Sequence, residues 1–183
     1  IDQTGPFTMR KGRRHFQSLA RAIVAQQISS KAAISIWTRL QQAVRPPQIT
    51  AATVAAMSPH QLRQVGVSPQ KASYLHEMAA RVQSGALRLN RLSQYSDEQV
   101  IERLVEVKGI GVWTAQMFLM FSLGRLDVFP HGDLGIRTAI RDLYRLPDLP
   151  DRRSCEPIVQ LWRPYSTVAC WYLWRSVEED DTW

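Results

Sequence analysis

The sequence predicts an all-α protein. Apolar residues recur with helical spacing in almost every segment, and signals for helix starts and stops follow one another closely along the chain. No stretch shows the alternating pattern of a half-buried strand. With 183 residues, of which 45% are hydrophobic, the chain can bury a core as one domain or as two small lobes. We expect about eight to ten short helices.

The first two helices are predicted from the spacing of their apolar residues, which recur three and four positions apart. The first helix carries Phe16, Leu19, Ala20, Ile23 and Val24. The second helix carries Ala33, Ile36, Trp37, Leu40 and Val44. Pro46 and Pro47 cannot continue a helix, so the second helix should end before them.

The middle helices are predicted from capping signals. Ser58 and Ser96 are each followed three residues later by a glutamine, which is the capping-box pattern. Ser68 precedes a proline at a first helical position and starts a helix that runs to about residue 82, with Gly85 as its stop. Later helices are expected over about 97–106, 111–123, 133–145, 154–161 and 164–177.

The charge balance favours a polyanionic partner. There are 23 lysines and arginines against 16 acidic residues, which gives a net charge of +7 and a pI near 9.9. Nucleic acid is the first candidate for such a partner and an acidic membrane surface the second. No apolar run is long enough to span a membrane, and no signal peptide is visible.

The cysteine content points to a reducing compartment. Cys155 and Cys170 are too few for a disulfide framework or a four-thiolate cluster, so a cytosolic setting is expected. The chain begins at Ile1 rather than at a methionine, which leaves open whether residues precede it.

A Gly-Ile-Gly turn separates two of the predicted helices. Gly109 and Gly111 tolerate positive φ and so permit a tight reversal, with Ile110 plugging the helix pair. A helix start leaves backbone N–H groups unpaired, which makes an anion site suited to a nucleic-acid phosphate. From the turn alone, a ligand-free helical hairpin is the favoured interpretation.

The longer string around the turn carries a resemblance. L-V-E-V-K-G-I-G-V-W-T-A, residues 104–115, closely resembles the helix-hairpin-helix motif L-P-G-(I/V)-G-x-x-T-A. R-A-I-V-A-Q-Q-I-S (21–29) and V-G-V-S-P-Q-K-A-S-Y-L (65–75) resemble segments of alkylbase DNA glycosylases. D-V-F-P-H-G-D-L-G-I-R (127–137) resembles the loop and aspartate of the helix-hairpin-helix glycosylase superfamily. The order and spacing match over roughly 13–177, and the 3-methyladenine DNA glycosylase II group matches best.

The resemblance implies a two-lobed, all-α helix-hairpin-helix glycosylase core. Residues 1–183 would form a single glycosylase domain with the active-site cleft between its lobes and the hairpin at about 104–117. The N-terminal β-domain that some alkylbase glycosylases carry has no room in this chain. We therefore expect no appended β-domain.

Asp133 stands at the start of a predicted helix, where aspartate is a preferred N-cap residue. By resemblance it is also the catalytic aspartate, and both roles can hold together. Cleavage of an N-glycosidic bond builds positive charge on the sugar, which a carboxylate can stabilise while it orients or deprotonates a water. His131 is expected to be a loop residue or a phosphate contact, and Asp127 to be structural.

The hairpin also limits the predicted reaction. Superfamily members with lyase activity carry a lysine four residues after the first hairpin glycine, and here that position is Trp113. A tryptophan cannot form an imine, so the resemblance implies a monofunctional hydrolase. The predicted phosphate contacts are Lys108, which takes the usual proline position, together with Gly109, Gly111 and Thr114.

Aromatic residues are expected to form the base pocket. By resemblance Trp113 and Trp171 are its walls, and Met117 stands where some relatives have an aromatic residue. The alternative is that both tryptophans are core residues. The remaining candidates, Trp37, Trp162 and Trp174, are interpreted as packing residues.

A flipped base leaves a gap in the duplex that a wedge residue must fill. The resemblance places this wedge at Gln27, against the alternative of a buried amide, and leaves Gln26 a structural role.

No cofactor is expected to be required. Hairpins of this kind can bind a monovalent cation, Na⁺ or K⁺, through backbone carbonyls, here by resemblance those of Val105, Val107 and Ile110. The iron–sulfur cluster of some superfamily branches is not expected, because its four C-terminal cysteines are absent from the sequence.

The resemblance implies a DNA glycosylase that releases alkylated purines of the 3-methyladenine and 7-methylguanine type by base flipping and leaves an abasic site. Two alternatives stay open: a non-catalytic helix-hairpin-helix DNA-binding module, and a bifunctional glycosylase-lyase. The expected partner is double-stranded DNA with damaged bases, bound by a monomer without membrane association. The expected location is the cytoplasm, with the nucleoid, in a bacterium, or the nucleus in a eukaryote.

Overall fold

The structure is a computed structural model that describes residues 4–177, and the all-α prediction is confirmed. No strand occurs within 4–177. The α-helices are α1 (His15–Ala25), α2 (Ser30–Ala43), α3 (Ala51–Ala55), α4 (Pro59–Gln64), α5 (Pro69–Gln83), α6 (Asp97–Val105), α7 (Val112–Phe118), α8 (Leu134–Leu143), α9 (Arg152–Gln160) and α10 (Ser166–Val177). A 3₁₀ helix spans Leu89–Gln94, and a π-helical turn spans Leu119–Leu123. None of the described helices is long and apolar enough to cross a membrane.

The predicted helix signals operate as expected. Ser58 and Ser96 form complete capping boxes at the starts of α4 and α6, and Ser68 caps α5. Gly85 follows the end of α5 with a φ of +77°. The sequence patterns missed α3 and the 3₁₀ helix. The helix α3 is only five residues long, and Thr50 caps it by a box that uses a second threonine in place of the usual glutamine or glutamate.

The single helix predicted over 111–123 is interrupted. It is α-helical only to Phe118, after which the chain widens into the π-helical turn. The wide turn closes where the N–H of Arg125 donates to the carbonyl of Leu119 at 3.0 Å. The late helices begin at slightly different residues than predicted. Asp151 caps α9, which therefore starts at Arg152, and α10 starts at Ser166.

The chain forms two compact units. Residues 12–118, here called the hairpin unit, contain α1 to α7, with α3 and α4 packed on α5 and α1 packed on α2, α5 and α7. The predicted apolar face of α1 is confirmed, because Leu19, Ala20, Ile23 and Val24 are no more than 1% exposed. Further fully buried side chains of this unit are Leu40, Leu62, Leu75, Met78, Leu92 and Leu104.

The second unit, here called the aspartate unit, comprises 4–11 and 119–177. Its central packing is α8 against α10, with Ile136 and Ile140 fully buried on α8. The N-terminal segment belongs to this unit as well, since the hydroxyl of Tyr172 donates to the carbonyl of Gly5 at 3.1 Å. The candidate carboxylate and the candidate hairpin therefore belong to different units.

Candidate functional site

The hairpin turn needs one glycine in the left-handed conformation. Gly109 has a φ of +86°, and a Cβ at this position would lie 2.2 Å from Cδ2 of Tyr74. Gly111 lies outside the left-handed region, and a Cβ there would meet no atom within 4 Å. The prediction of positive φ is thus confirmed for Gly109 and wrong for Gly111. One left-handed residue reverses the chain, and Gly111 then caps α7 by accepting a bond from the N–H of Ala115 at 3.0 Å.

The turn is anchored from inside and exposed on its outer side. Ile110 is 4% exposed and plugs the helix pair as predicted, and its N–H donates to the carbonyl of Val107 at 3.0 Å. Lys108 and Gly111 are exposed, which suits the predicted contacts with DNA phosphates. Thr114 is only 5% exposed, so its side chain packs within the hairpin unit. This burial does not favour the predicted contact between its hydroxyl and a phosphate.

One face of α7 presents the predicted base-stacking residues. Trp113 is 41% exposed, and Met117, one helical turn further on, is half-buried. Residues four apart lie on the same face of a helix, so the indole and the thioether are neighbours on α7. Exposure of this extent is unusual for a large aromatic residue. The alternative that Trp113 is a core residue is therefore wrong.

The loop between α1 and α2 carries a strained and exposed residue. Gln27 has a φ of +54°, in the left-handed region that costs a non-glycine residue about 1–2 kcal/mol. Its side chain is exposed, so the alternative of a buried amide is wrong. Such strain persists only where neighbouring contacts enforce it, and it concentrates at functional sites. The structural role predicted for Gln26 is confirmed, because its Nε2 donates to the carbonyl of Gly109 at 2.6 Å.

Asp133 begins α8 and accepts hydrogen bonds from a backbone amide and from an indole. Its Oδ1 accepts a hydrogen bond of 2.9 Å from the N–H of Ile136, which confirms the N-cap prediction. The same oxygen accepts a bond of 3.2 Å from the indole Nε1 of Trp174. The residue is 8% exposed. Gly135 permits this arrangement, since a Cβ there would approach Oδ1 to 3.3 Å.

Trp174, rather than Trp171, is the tryptophan of α10 that contacts Asp133. Its interpretation as a packing residue alone is wrong, although its ring also stacks on Phe121 with centroids 5.8 Å apart. Trp171 is 9% exposed and meets Phe7 edge-on at 5.5 Å. The contacts of Trp171 favour the core alternative over the predicted pocket wall.

The face of α10 that is turned towards Asp133 carries Trp174. Cys170 lies four residues before it, on the same helical face. Burial, with the negative charge of Asp133 as a second cause, raises the pKa of the Cys170 thiol. This face of α10 is therefore the one turned towards Asp133, and Trp171 is rotated by about 100° from Cys170.

The loop before α8 carries two further polar residues, Asp127 and His131. Asp127 pairs with Arg163 at 3.0 Å and accepts a bond of 3.3 Å from the N–H of Ser166, which confirms its structural role. Burial, followed by the positive charge of Arg152, lowers the pKa of His131. Both predicted roles of His131, a loop residue and a phosphate contact, stay predictions.

Replacing Trp174 by phenylalanine is expected to lower the rate of the reaction in which Asp133 is predicted to act. The ring stack on Phe121 is largely kept, but the carboxylate loses the hydrogen bond from the indole N–H. We expect a fall of about tenfold in the single-turnover rate, equivalent to about 1.4 kcal/mol, with little change in DNA affinity. Trp162→Phe is the matched control, because its indole donates towards Tyr144 and not to Asp133. Equal losses in the two variants would contradict the orienting role.

Comparison with known proteins supports the resemblance of the hairpin and the loop. Residues 20–164 match the HhH-GPD superfamily of base excision DNA repair proteins. The chain is 37% identical over 163 residues to DNA-3-methyladenine glycosylase 1 of Schizosaccharomyces pombe, across 88% of this chain and 72% of that relative.

Solved structures give the same result. A DNA-3-methyladenine glycosidase from Bacillus halodurans has a TM-score of 0.88 and 38% identity, over 98% of this chain and 82% of the other. The 3-methyladenine DNA glycosylase of Schizosaccharomyces pombe, solved in complex with abasic DNA, has a TM-score of 0.87 and 32% identity. This match covers 100% of this chain and 91% of the other. The chain therefore belongs to the HhH-GPD superfamily of base excision DNA repair proteins, as its hairpin motif predicts.

Proposed function

We propose that this protein is a monofunctional DNA glycosylase that hydrolyses the N-glycosidic bond of alkylated purines in double-stranded DNA and leaves an abasic site. The observation that carries the proposal is the Asp133 carboxylate, fixed by a backbone amide and an indole at the start of α8. Its setting is a chain whose relatives are named 3-methyladenine DNA glycosylases, one of them solved with abasic DNA.

Asp133 supplies the electrostatic part of the reaction. As the glycosidic bond breaks, positive charge develops on the deoxyribose, and an ionised carboxylate stabilises that charge most effectively when it needs no reorientation. The donors from Ile136 and Trp174 hold the carboxylate in one orientation before the substrate arrives. The same carboxylate positions or deprotonates the water that attacks the sugar carbon.

Trp113 and Met117 supply recognition of the base. A methylated purine of the 3-methyladenine or 7-methylguanine type carries positive charge, which an indole face attracts by about 0.5–2 kcal/mol. The exposed ring of Trp113 offers such a face, and the flexible thioether of Met117 adapts to bases of different shape. Gln27 fills the gap left by the extruded base, a role that suits its exposure and its strained backbone.

Hydrolysis without strand cleavage is proposed because α7 carries Trp113 where a lyase would carry lysine. A lyase reaction requires an amine that attacks the sugar and forms an imine, and an indole has no such nucleophile. Trp113 therefore supports release of the base as the final step. Borohydride trapping should yield no protein–DNA adduct, whereas the bifunctional alternative would yield one.

The proposal includes a monovalent cation at the hairpin, which would help to bind DNA and would take no part in cleavage of the glycosidic bond. Among the backbone–backbone hydrogen bonds of the described residues, none ends on the carbonyl oxygens of Val105 or Ile110, and Val107 accepts one, from the N–H of Ile110. Carbonyl oxygens with unused lone pairs fit a sodium or potassium ion. Such an ion would add positive charge beside a DNA phosphate.

The proposal is tested by a panel of duplexes that each carry one lesion: 3-methyladenine, 7-methylguanine, ethenoadenine or hypoxanthine. Release of the free base, measured by chromatography, is expected for the two cationic methylpurines. An abasic site should remain in an uncut strand until it is treated with alkali. Binding of every duplex without release of any base would support the non-catalytic module instead.

Neutralising Lys108 is expected to remove one phosphate contact. The side chain is exposed on the turn next to Gly109, so Lys108→Gln should leave the fold intact. The slope of log affinity against log salt should become shallower by about 0.9, the contribution of one neutralised phosphate in duplex DNA. Anisotropy titrations of an undamaged duplex at several salt concentrations measure this slope. An unchanged slope would mean that Lys108 does not contact a phosphate.

A further inference from the structure

Lys71 binds the C-terminal end of α1. It lies in the first turn of α5, and its ammonium group donates to the carbonyls of Val24 at 2.8 Å and Gln26 at 2.6 Å. These carbonyls belong to the last turn of α1 and its C-cap, where the helix dipole favours a positive charge. Burial lowers the pKa of Lys71, in keeping with a group that serves the interior rather than a solvent-exposed surface. The loop that carries Gln27 thus starts from a fixed point.

Gln26 connects the same loop to the hairpin turn. Its main-chain carbonyl accepts from Lys71, and its side-chain amide donates to the carbonyl of Gly109 at 2.6 Å. Gly109 in turn lies against the ring of Tyr74, which is three residues after Lys71 and so on the same face of α5. Gln70 donates to the hydroxyl of Tyr74 at 2.6 Å. One face of α5 therefore supports both the loop and the turn.

The two supported elements are those that face DNA in the proposed function. One is the exposed Gln27, whose left-handed backbone relaxes unless its neighbours prevent it. The other is the hairpin turn with Lys108 and Gly111. Gln26, the residue immediately before Gln27, is constrained by two bonds: its main-chain carbonyl accepts from Lys71, and its side-chain amide donates to the carbonyl of Gly109.

We propose that Lys71 and Gln26 are positioning residues. They fix the loop between α1 and α2, which carries Gln27, to the hairpin turn, so that Gln27 inserts into the duplex while the turn binds the phosphate. This inference rests on the proposed function. Neither side chain contacts the reacting atoms in this role. Loss of either therefore affects the insertion step more than the initial binding of duplex DNA.

The test uses a duplex with a tetrahydrofuran abasic-site analogue and 2-aminopurine beside it. The analogue has no base to release, so a change of 2-aminopurine fluorescence reports insertion of the wedge alone. In stopped-flow mixing, Lys71→Met is expected to slow this change by about tenfold or more, because the loop would then have to be ordered before it can insert. The affinity of Lys71→Met for undamaged duplex should stay within about threefold of that of the control Lys31→Met. This control removes the same charge from an exposed lysine on α2.

A second variant and a double mutant exclude a general loss of structure. Gln26→Ala leaves Lys71 in place and should slow insertion as well, while helical circular dichroism at the assay temperature stays that of the wild type. In a Gln27→Ala background, Lys71→Met should have little further effect, because the locked residue is already gone. Equal insertion rates for Lys71→Met and Lys31→Met, or full additivity with Gln27→Ala, would overturn the proposal.

The outcome is separable from that of the proposed function. If the wild type inserts its wedge but releases no alkylated base from the lesion panel, the proposed function fails while the positioning roles stand. If the wild type releases bases but gives no fluorescence change on the abasic analogue, the positioning proposal fails while the function stands.

Discussion

Replacing Asp133 by asparagine is expected to lower the single-turnover rate of base release by about 100- to 1000-fold, the loss typical of removing one preorganised electrostatic group. Asparagine keeps the shape of the side chain and an oxygen that can still accept from the N–H of Ile136. What it lacks is the negative charge that stabilises the developing cation. Affinity for undamaged duplex should therefore be retained or slightly raised.

The same position allows the charge to be separated from the helix cap. Asparagine is as good an N-cap residue as aspartate, whereas alanine loses about 1 kcal/mol. Asp133→Asn should thus melt like the wild type, while Asp133→Ala should be both inactive and less stable. Urea denaturation followed by circular dichroism measures the difference. Unimpaired base release by Asp133→Asn would contradict the assigned mechanism.

Gly109→Ala is expected to destabilise the hairpin unit by about 2–5 kcal/mol. The left-handed backbone contributes about 1–2 kcal/mol of this, and overpacking against Tyr74 about 1–3 kcal/mol. The clash is severe because the added methyl group would lie 2.2 Å from Cδ2 of the Tyr74 ring, which would have to shift and disturb the hydrogen bond from Gln70 to its hydroxyl. The free energy of unfolding, measured in urea, tests this value.

Gly111→Ala is the matched comparison within the same motif. Its backbone is not left-handed, and an added methyl group meets no atom within 4 Å. The cost should be about 0.5 kcal/mol, the difference between glycine and alanine at an N-cap. The methyl group would, however, stand beside the amides offered to a phosphate, so DNA affinity should fall more than stability. Equal destabilisation by the two variants would contradict the division of roles between the two glycines.

Local patterns predicted the helices and the hairpin well because each depends on residues close in sequence. The capping serines, the apolar face of α1 and the plug at Ile110 all belong to this class. The widening of the chain after Phe118 was not predictable in this way. It depends on how a wide turn closes on Arg125, and no residue type marks such a turn.

The residues of the candidate site could be predicted where they belong to a sequence motif. They were harder to predict where the packing of helices determines which side chain reaches the site. Asp133 and Trp113 follow from motifs with fixed spacing. The choice between Trp171 and Trp174 depends on the rotation of α10 against α8, which a pair of tryptophans three residues apart does not reveal. The roles of Lys71 and Gln26 depend on bonds between residues 45 and 83 positions apart, which no local pattern contains.

The cap of α8 also restricts how this protein could lose its activity in the course of evolution. If the carboxylate that begins the helix also acts on the sugar, as proposed, most replacements of Asp133 weaken the fold along with the reaction. Asparagine is the replacement that a single nucleotide change from an aspartate codon can reach and that keeps the cap. A descendant that had become a DNA-damage binder without activity would therefore be expected to carry asparagine here. Such a protein would be expected to keep its fold and its affinity for DNA.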